Sequence, residues 1–139
     1  MNSPVSALVI EHSIASDLCE ARRVQCDIEL ALQQAAFAEH DIFAIKLAVE
    51  EALVNAIKHG NRMDRSKRVH VACRVGTERF EVQITDEGPG FDPNHVPDPT
   101  APENLERPCG RGLLLMRHYM NEVAYHNSGR VVRMAKLKK

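Results

Sequence analysis

"AVEEALVNAIKHGN", residues 48 to 61, decides how the rest of this chain is read. Together with Ile42 and Ile45 just upstream, its Ala48, Val49, Ala52, Leu53, Ala56 and Ile57 cover more than one face of a helix. Such a helix has to be enclosed by a sheet and neighbours rather than laid on a surface. Yet Glu51 and Asn55 share one row of it, at i and i+4. A buried carboxylate without a partner is costly, so Glu51 must be paired, hydrogen-bonded, protonated or turned to a polar cavity. Taken alone, E-x-x-x-N reads more simply as a solvent-facing row.

Working outward, Asp41 is expected to cap this helix, which then runs from Ile42 to about His59, with Gly60 as its C-terminal stop. Ahead of it, "VSALVI" at 5 to 10 reads as a short strand. Ser13 or Ser16 then caps a helix to about Glu39, with an apolar stripe through Leu18, Ala21, Ile28, Leu32 and Ala35. From Val69 the period changes to two. Val69, Val71, Cys73 and Val75, then Phe80, Val82 and Ile84, alternate with polar or small residues about Gly76 and Thr77, which predicts a β-hairpin with one buried face.

Residues 86 to 110 hold six of the chain's seven prolines and read as one long irregular loop. Gly112 opens an apolar helix, "LLLMRHYM", and "NEVAYHNSGRVVRMAKLKK" supplies two strands about an Asn-Ser-Gly turn. Helices and strands that do not alternate argue for α+β, a two-layer sandwich with helices on one face of a mixed, mainly antiparallel sheet. A loop of about 25 residues in so short a chain tends to be functional.

The 139 residues suit one domain, 1 to 139, without staples. Lys plus Arg number 18 against 19 for Asp plus Glu, so no general basic field draws in nucleic acid or anionic membrane. The start, "MNSPVSALVIEHS", lacks a signal-peptide pattern and no run approaches 18 apolar residues, so a cytoplasmic protein is expected. Cys19, Cys26, Cys73 and Cys109 form no C-x-x-C pair and are expected to be reduced, small buried thiols, with no structural metal.

Two further groups carry chemistry. In "DEGPGF", Asp86 ends an apolar strand, where its carboxylate can point into a pocket and accept from an exocyclic amine; Gly88 and Gly90 let backbone pass close to a flat ligand or take positive φ. A plain Gly-Pro turn explains the same residues. In "ERPCGRGLLL", Gly110 and Gly112 precede a helix whose free N–H groups make an anion site, with Arg107 and Arg111 beside it. These glycines could also merely start a helix tightly.

Order and spacing together say more than each group alone. Glu51-x-x-x-Asn55 on a buried helix, Asp86-x-Gly88-x-Gly90 after a strand, a pliable loop, then Gly110-x-Gly112 at a helix start resembles the Bergerat-type (GHKL) ATPase family over about residues 5 to 137. Within it, "DEGPGFDP" and the compact lid, about 91 to 110, are most similar to the anti-sigma-factor serine/threonine kinases and related switch-protein kinases. The residues ahead of the first motif do not read as a phosphoacceptor-histidine helix, so a complete sensor kinase is not expected.

The resemblance implies ATP and Mg²⁺. Asn55 would be the metal ligand, Glu51 the general base, Asp86 the reader of the adenine amino group, and Gly88 and Gly90 the floor beneath it. Gly110, Gly112 and Arg107 would close over the phosphates, with Arg111 the competing contact because Pro108 and Cys109 disturb the lid alignment. The implied function is an anti-sigma factor that phosphorylates a STAS-domain anti-anti-sigma protein and also binds a sigma factor. The alternative is an ATP-dependent partner-binding switch with little or no kinase activity. A plain interaction domain that binds no nucleotide is the third reading. No nucleic acid or membrane is implied, and the N-terminal helices leave room for a homodimer.

Overall fold

The computed structural model describes residues 8–89, 108–127 and 129–138, those at 108–113 by backbone alone. In chain order the elements are β1 (Leu8–Ala15), α1 (Leu18–Gln34), α2 (Glu39–Val54), a π-helical turn (Asn55–Gly60), β2 (Arg68–Val75), β3 (Arg79–Asp86), α3 (Pro108–Tyr119), β4 (Glu122–His126) and β5 (Val131–Leu137). The strands form one sheet in the order β1-β2-β3-β5-β4. Every pairing among the described residues is antiparallel, so the expected mixed sheet is corrected to a purely antiparallel one. The physical reason is connectivity: β2–β3 and β4–β5 are hairpins, and neither needs a parallel crossover.

The period-two reading holds along the centre. Val69, Val71, Cys73 and Val75 on β2, and Phe80, Val82 and Ile84 on β3, are buried while their neighbours face outward. Against that face lie Ile28 and Leu32 of α1, Ile45 and Leu53 of α2, and Ile57 of the π turn, all fully enclosed. Every apolar position singled out on the second helix is buried, because that helix lies between the sheet, α1 and α3. The hairpin turn spans residues 76–78, where the Gly76 N–H donates to the Arg79 carbonyl at 2.9 Å; Gly76-Thr77 alone does not close it.

Element ends depart from the local signals. β1 runs to Ala15, eight residues in register with β2, so Ser13 lies in a strand. Asp17, not Ser13 or Ser16, caps α1 by accepting the Cys19 N–H at 2.7 Å. That helix stops at Gln34, and Ala36 (φ 63°) reverses the chain so that Phe37 enters the core. Asp41 does not cap α2, which begins at Glu39. Its carboxylate is 0% exposed inside the first turn, 3.3 Å from His40 Nε2 and 3.9 Å from Lys136 Nζ of β5. Charge pairing across the fold has displaced the local capping role. Cys19 and Cys26 are exposed on α1, against expectation, whereas Cys73 is buried and its thiol pushed up to about 12 by desolvation.

Gly60 is not a left-handed helix stop. It ends the π turn, and the left-handed residues follow at Arg62 (φ 54°) and Met63 (φ 60°), the latter donating to Ile57 O at 2.8 Å. Asn61, buried, binds the three segments meeting there. Its Nδ2 donates to Ser16 Oγ at 2.9 Å and to Arg68 O at 3.0 Å, and its Oδ1 accepts the Glu87 N–H at 2.8 Å. Asn61→Ala removes one buried and two part-buried hydrogen bonds, so a loss of about 2–4 kcal/mol is expected. The urea midpoint should fall at constant slope; an unchanged midpoint contradicts this role for Asn61.

Candidate functional site

The helix row splits at the π turn. Glu51, on the last turn of α2, is half-buried, and burial followed by the neighbouring Glu50 charge holds its carboxyl above the ordinary glutamate range. Asn55 opens the π turn at 6% exposure, and its Oδ1 is buried without a hydrogen-bond partner among the described residues. At Asn55 the solvent-facing alternative therefore fails. A buried, unsatisfied amide oxygen costs about 1–3 kcal/mol, and short π segments inside helices are frequent at functional sites. Such an oxygen is a hard acceptor suited to Mg²⁺, which is commonly held by one or two protein oxygens plus phosphates. The residue present thus fits the metal implied by the sequence motif.

Asp86 is the last residue of β3 and continues the inward set of Phe80, Val82 and Ile84. It is 6% exposed. Its Oδ1 accepts the Gly88 N–H at 2.9 Å, and its own N–H donates to Arg130 O at 2.9 Å. Burial raises its pKa above the ordinary aspartate value, against the opposing effects of the Gly88 N–H and of the Arg130 and Lys67 charges. Asp86 is therefore a buried acceptor with one oxygen committed to its own loop.

Two glycines let this loop sit on the π turn. A Cβ on Gly60 would lie 2.4 Å from Asp86 Oδ2, and one on Gly88 would lie 1.8 Å from Gly60 O and 2.4 Å from its carbonyl carbon. Gly88 thus serves close approach, as expected, but the surface approached is the Gly60 backbone and no positive φ is involved; Gly129 is the one described glycine in that region. The contact brings Asp86 to the turn that carries Asn55, uniting the first two sequence groups.

The third group is placed differently. Gly90 and Arg107 lie outside the described residues, as does most of the expected lid. Gly110, Arg111 and Gly112 do not precede the helix: α3 begins at Pro108, so all three lie within it, and 108–110 are helix rather than loop. Proline suits a first helical position because it lacks the N–H that would be unpaired there. The free first-turn N–H groups are then those of Cys109, Gly110 and Arg111. The Arg111 side chain is outside what is described. α3 packs on α2 and touches the π turn that Asn55 opens.

Gly60, Asn61 and Arg130 were not singled out as site residues. The Arg130 guanidinium donates through Nε to Gly88 O at 2.7 Å and through Nη2 to Pro89 O at 3.1 Å. Gly60 inside the E-x-x-x-N helix was the available signal; nothing local marks Arg130. A shallow hollow of about 600 Å³ on the open sheet face, lined by Glu11, Arg74, Glu81 and Arg133 among others, shares no residue with this site. Its size is outweighed by the chemistry of the buried acceptors.

The family model of the histidine kinase-like ATPase domain matches residues 14–136. The chain is similar to the serine/threonine-protein kinase BtrW of Bordetella bronchiseptica, 31% identical over 85 residues, 60% of each chain. It is similar to the serine-protein kinase RsbW of Oceanobacillus iheyensis, 29% identical over 107 residues, 72% of this chain and 68% of that one. To RsbW of Bacillus subtilis it is 34% identical over 109 residues, 69% of this chain and 64% of that one. The matches thus span about 60 to 68% of these relatives' own lengths. The crystal structure of the RsbU and RsbW domains of a Mycobacterium tuberculosis protein shares the fold, with a TM-score of 0.65 at 17% identity over 95% of this chain and 33% of that one. With the family model spanning β1 to β5 and the motifs set on the fold as described, the chain belongs to the histidine kinase-like ATPase domain family, the Bergerat-type group its sequence resembles.

Proposed function

We propose that this chain is an ATP-binding protein-serine/threonine kinase acting as an anti-sigma factor, with a STAS-type antagonist protein as phosphoryl acceptor and a sigma factor as its second partner. A cytoplasmic location goes with that reading. The observation that carries it is the buried Oδ1 of Asn55, unpartnered among the described residues, one helical turn beyond the half-buried Glu51 and on a turn that also packs against Asp86. The kinase names of the similar proteins support it.

Bound Mg-ATP supplies the γ-phosphoryl group and neutralises phosphate charge. Asn55 Oδ1 would hold the metal, and Asp86 would accept from the 6-amino group of adenine. Gly88, seated on Gly60, keeps that floor free of side chains. Gly90, Gly110, Gly112 and Arg107 or Arg111 are assigned to the base floor and phosphate side by the family motif. Glu51 would orient the acceptor serine and take its proton as the serine Oγ–phosphorus bond forms, the bridging oxygen–phosphorus bond breaks and ADP leaves. Burial aids this step, since a carboxylate with a raised pKa is the stronger base. An intact glutamate at position 51 favours the kinase over a switch that binds without transfer.

Titration calorimetry with Mg-ATP tests the site. The parent chain should bind near the micromolar range, about −8 kcal/mol, and both Asn55→Ala and Asp86→Ala should lose that affinity. Absence of heat and of ADP competition for the parent chain at millimolar nucleotide sinks the reading.

A further inference from the structure

We propose that Arg130 is a positioning residue for base recognition: by gripping the loop that follows β3 it holds the Asp86 carboxylate ready for a purine 6-amino group, and so sets a preference for adenine over 6-oxo purine nucleotides. The inference rests on the reading that ATP binds at this site.

Beyond Thr85↔Val131 the β3–β5 ladder ends; Asp86 still pairs with Val69 of β2, and residues 87–89 have no strand neighbour on either side. Arg130 extends the hold. Its carbonyl accepts the Asp86 N–H at 2.9 Å, while Nε and Nη2 donate to Gly88 O and Pro89 O at 2.7 and 3.1 Å. A single residue thus grips the loop before and after the tight Asp86-to-Gly88 turn. The planar guanidinium can bind two successive carbonyls at fixed spacing, which an ammonium cannot.

Arg130 is aimed by its own turn. Asn127 (φ 53°) and Gly129 (φ 83°) reverse the chain between β4 and β5, with Gly129 N–H donating to His126 O at 3.1 Å and Arg130 N–H to Asn127 O at 3.2 Å. From the opposite side Asn61 Oδ1 accepts the Glu87 N–H at 2.8 Å. The loop is gripped between them, one residue buried and one exposed.

That grip matters because Asp86 has little freedom to spare. Oδ1 is taken by Gly88, and Oδ2 lies against Gly60, where even a methyl would sit 2.4 Å away. An acceptor is selective only if it is held still, since a carboxylate free to swing away tolerates a 6-oxo group. The side-chain bonds of Arg130 go to Gly88 O and Pro89 O rather than to Asp86, so beyond the effect of its charge on the carboxyl it acts through the loop. Being exposed, it can be replaced without opening the core.

The test is the affinity of the parent chain, Arg130→Ala, Arg130→Lys and Asp86→Asn for Mg-ATP and for Mg-inosine triphosphate, whose base carries a 6-oxo group. The parent should prefer ATP by about tenfold or more, the worth of one hydrogen bond to a charged group. Arg130→Ala should cut that preference at least about fivefold, through weaker ATP binding with inosine triphosphate affinity kept or improved. Arg130→Lys should recover part of it, and Asp86→Asn should abolish it. Equal loss for both nucleotides, or an unchanged preference in Arg130→Ala, overturns the proposal while ATP binding by the parent upholds the broader reading. Failure of the parent to bind ATP takes down both.

Discussion

Glu51→Gln should keep Mg-ATP affinity and lower phosphoryl transfer by about 10²- to 10⁴-fold, the usual worth of a positioned general base. The substitution preserves shape and leaves Asn55, Asp86 and the glycine contact untouched, so binding and transfer separate cleanly. Single-turnover transfer of labelled phosphate to a STAS-domain antagonist protein reads the rate, and calorimetry reads the affinity. Unchanged transfer removes Glu51 from its role. The same residue sets a pH signature. Burial, then the Glu50 charge, raise its pKa above the ordinary glutamate value, and the base acts only when ionised. The acid limb of the transfer rate should therefore lie above that of an ordinary glutamate, and Glu50→Gln should move it down.

Gly88→Ala is expected to disable the site and weaken the fold together. The new methyl would lie 1.8 Å from Gly60 O and 2.4 Å from its carbonyl carbon, so backbone meets backbone and no rotamer relieves the clash. The φ of Gly88 is not in the left-handed region, so the penalty is steric rather than conformational. The loop has to lift off the π turn, at an overpacking cost of about 1–3 kcal/mol or more, taking the Asp86 carboxylate with it. ATP affinity should drop at least about tenfold, or 1.4 kcal/mol. Gly60→Ala offers the contrast: there the methyl meets a side chain rather than backbone, 2.4 Å from Asp86 Oδ2 and 2.5 Å from its Cγ, and the carboxylate can yield only by giving up its bond to the Gly88 N–H. It should lose nucleotide with less effect on the unfolding midpoint. A Gly88→Ala chain with parental midpoint and affinity would contradict the packing described.

Much of the fold was legible in chain order. The central hairpin followed from strict alternation of Val69 to Val75 and Phe80 to Ile84, and the enclosed second helix from apolar residues on more than one face. Helix ends were less legible because each end has several local candidates and tertiary packing chooses among them. Ser13 was drawn into β1 by pairing with β2, Ser16 Oγ turned inward to Lys67 O at 2.8 Å, and Asp17 was left to cap α1. In α3, Pro108 and Gly110 read as the end of the loop with Gly112 opening the helix, yet Pro108 tolerates a first helical turn and the helix extends over both glycines.

Residue order alone specifies the kinds of element, the faces they bury, and the residue types at the site: a carboxylate and an amide one turn apart, and an aspartate ending an apolar strand beside glycine. These are local, because periods of two and 3.6 place side chains without reference to distant residues. It is packing that buries Asn55 Oδ1 without a partner among the described residues, brings the Gly60 and Gly88 backbones into contact, lets Asn61 join three segments and sets Arg130 to grip the loop after Asp86. Each of those depends on residues far apart in the chain, between which no periodic signal runs. They exist because the antiparallel sheet places the β4–β5 turn and the end of α2 on either side of the end of β3.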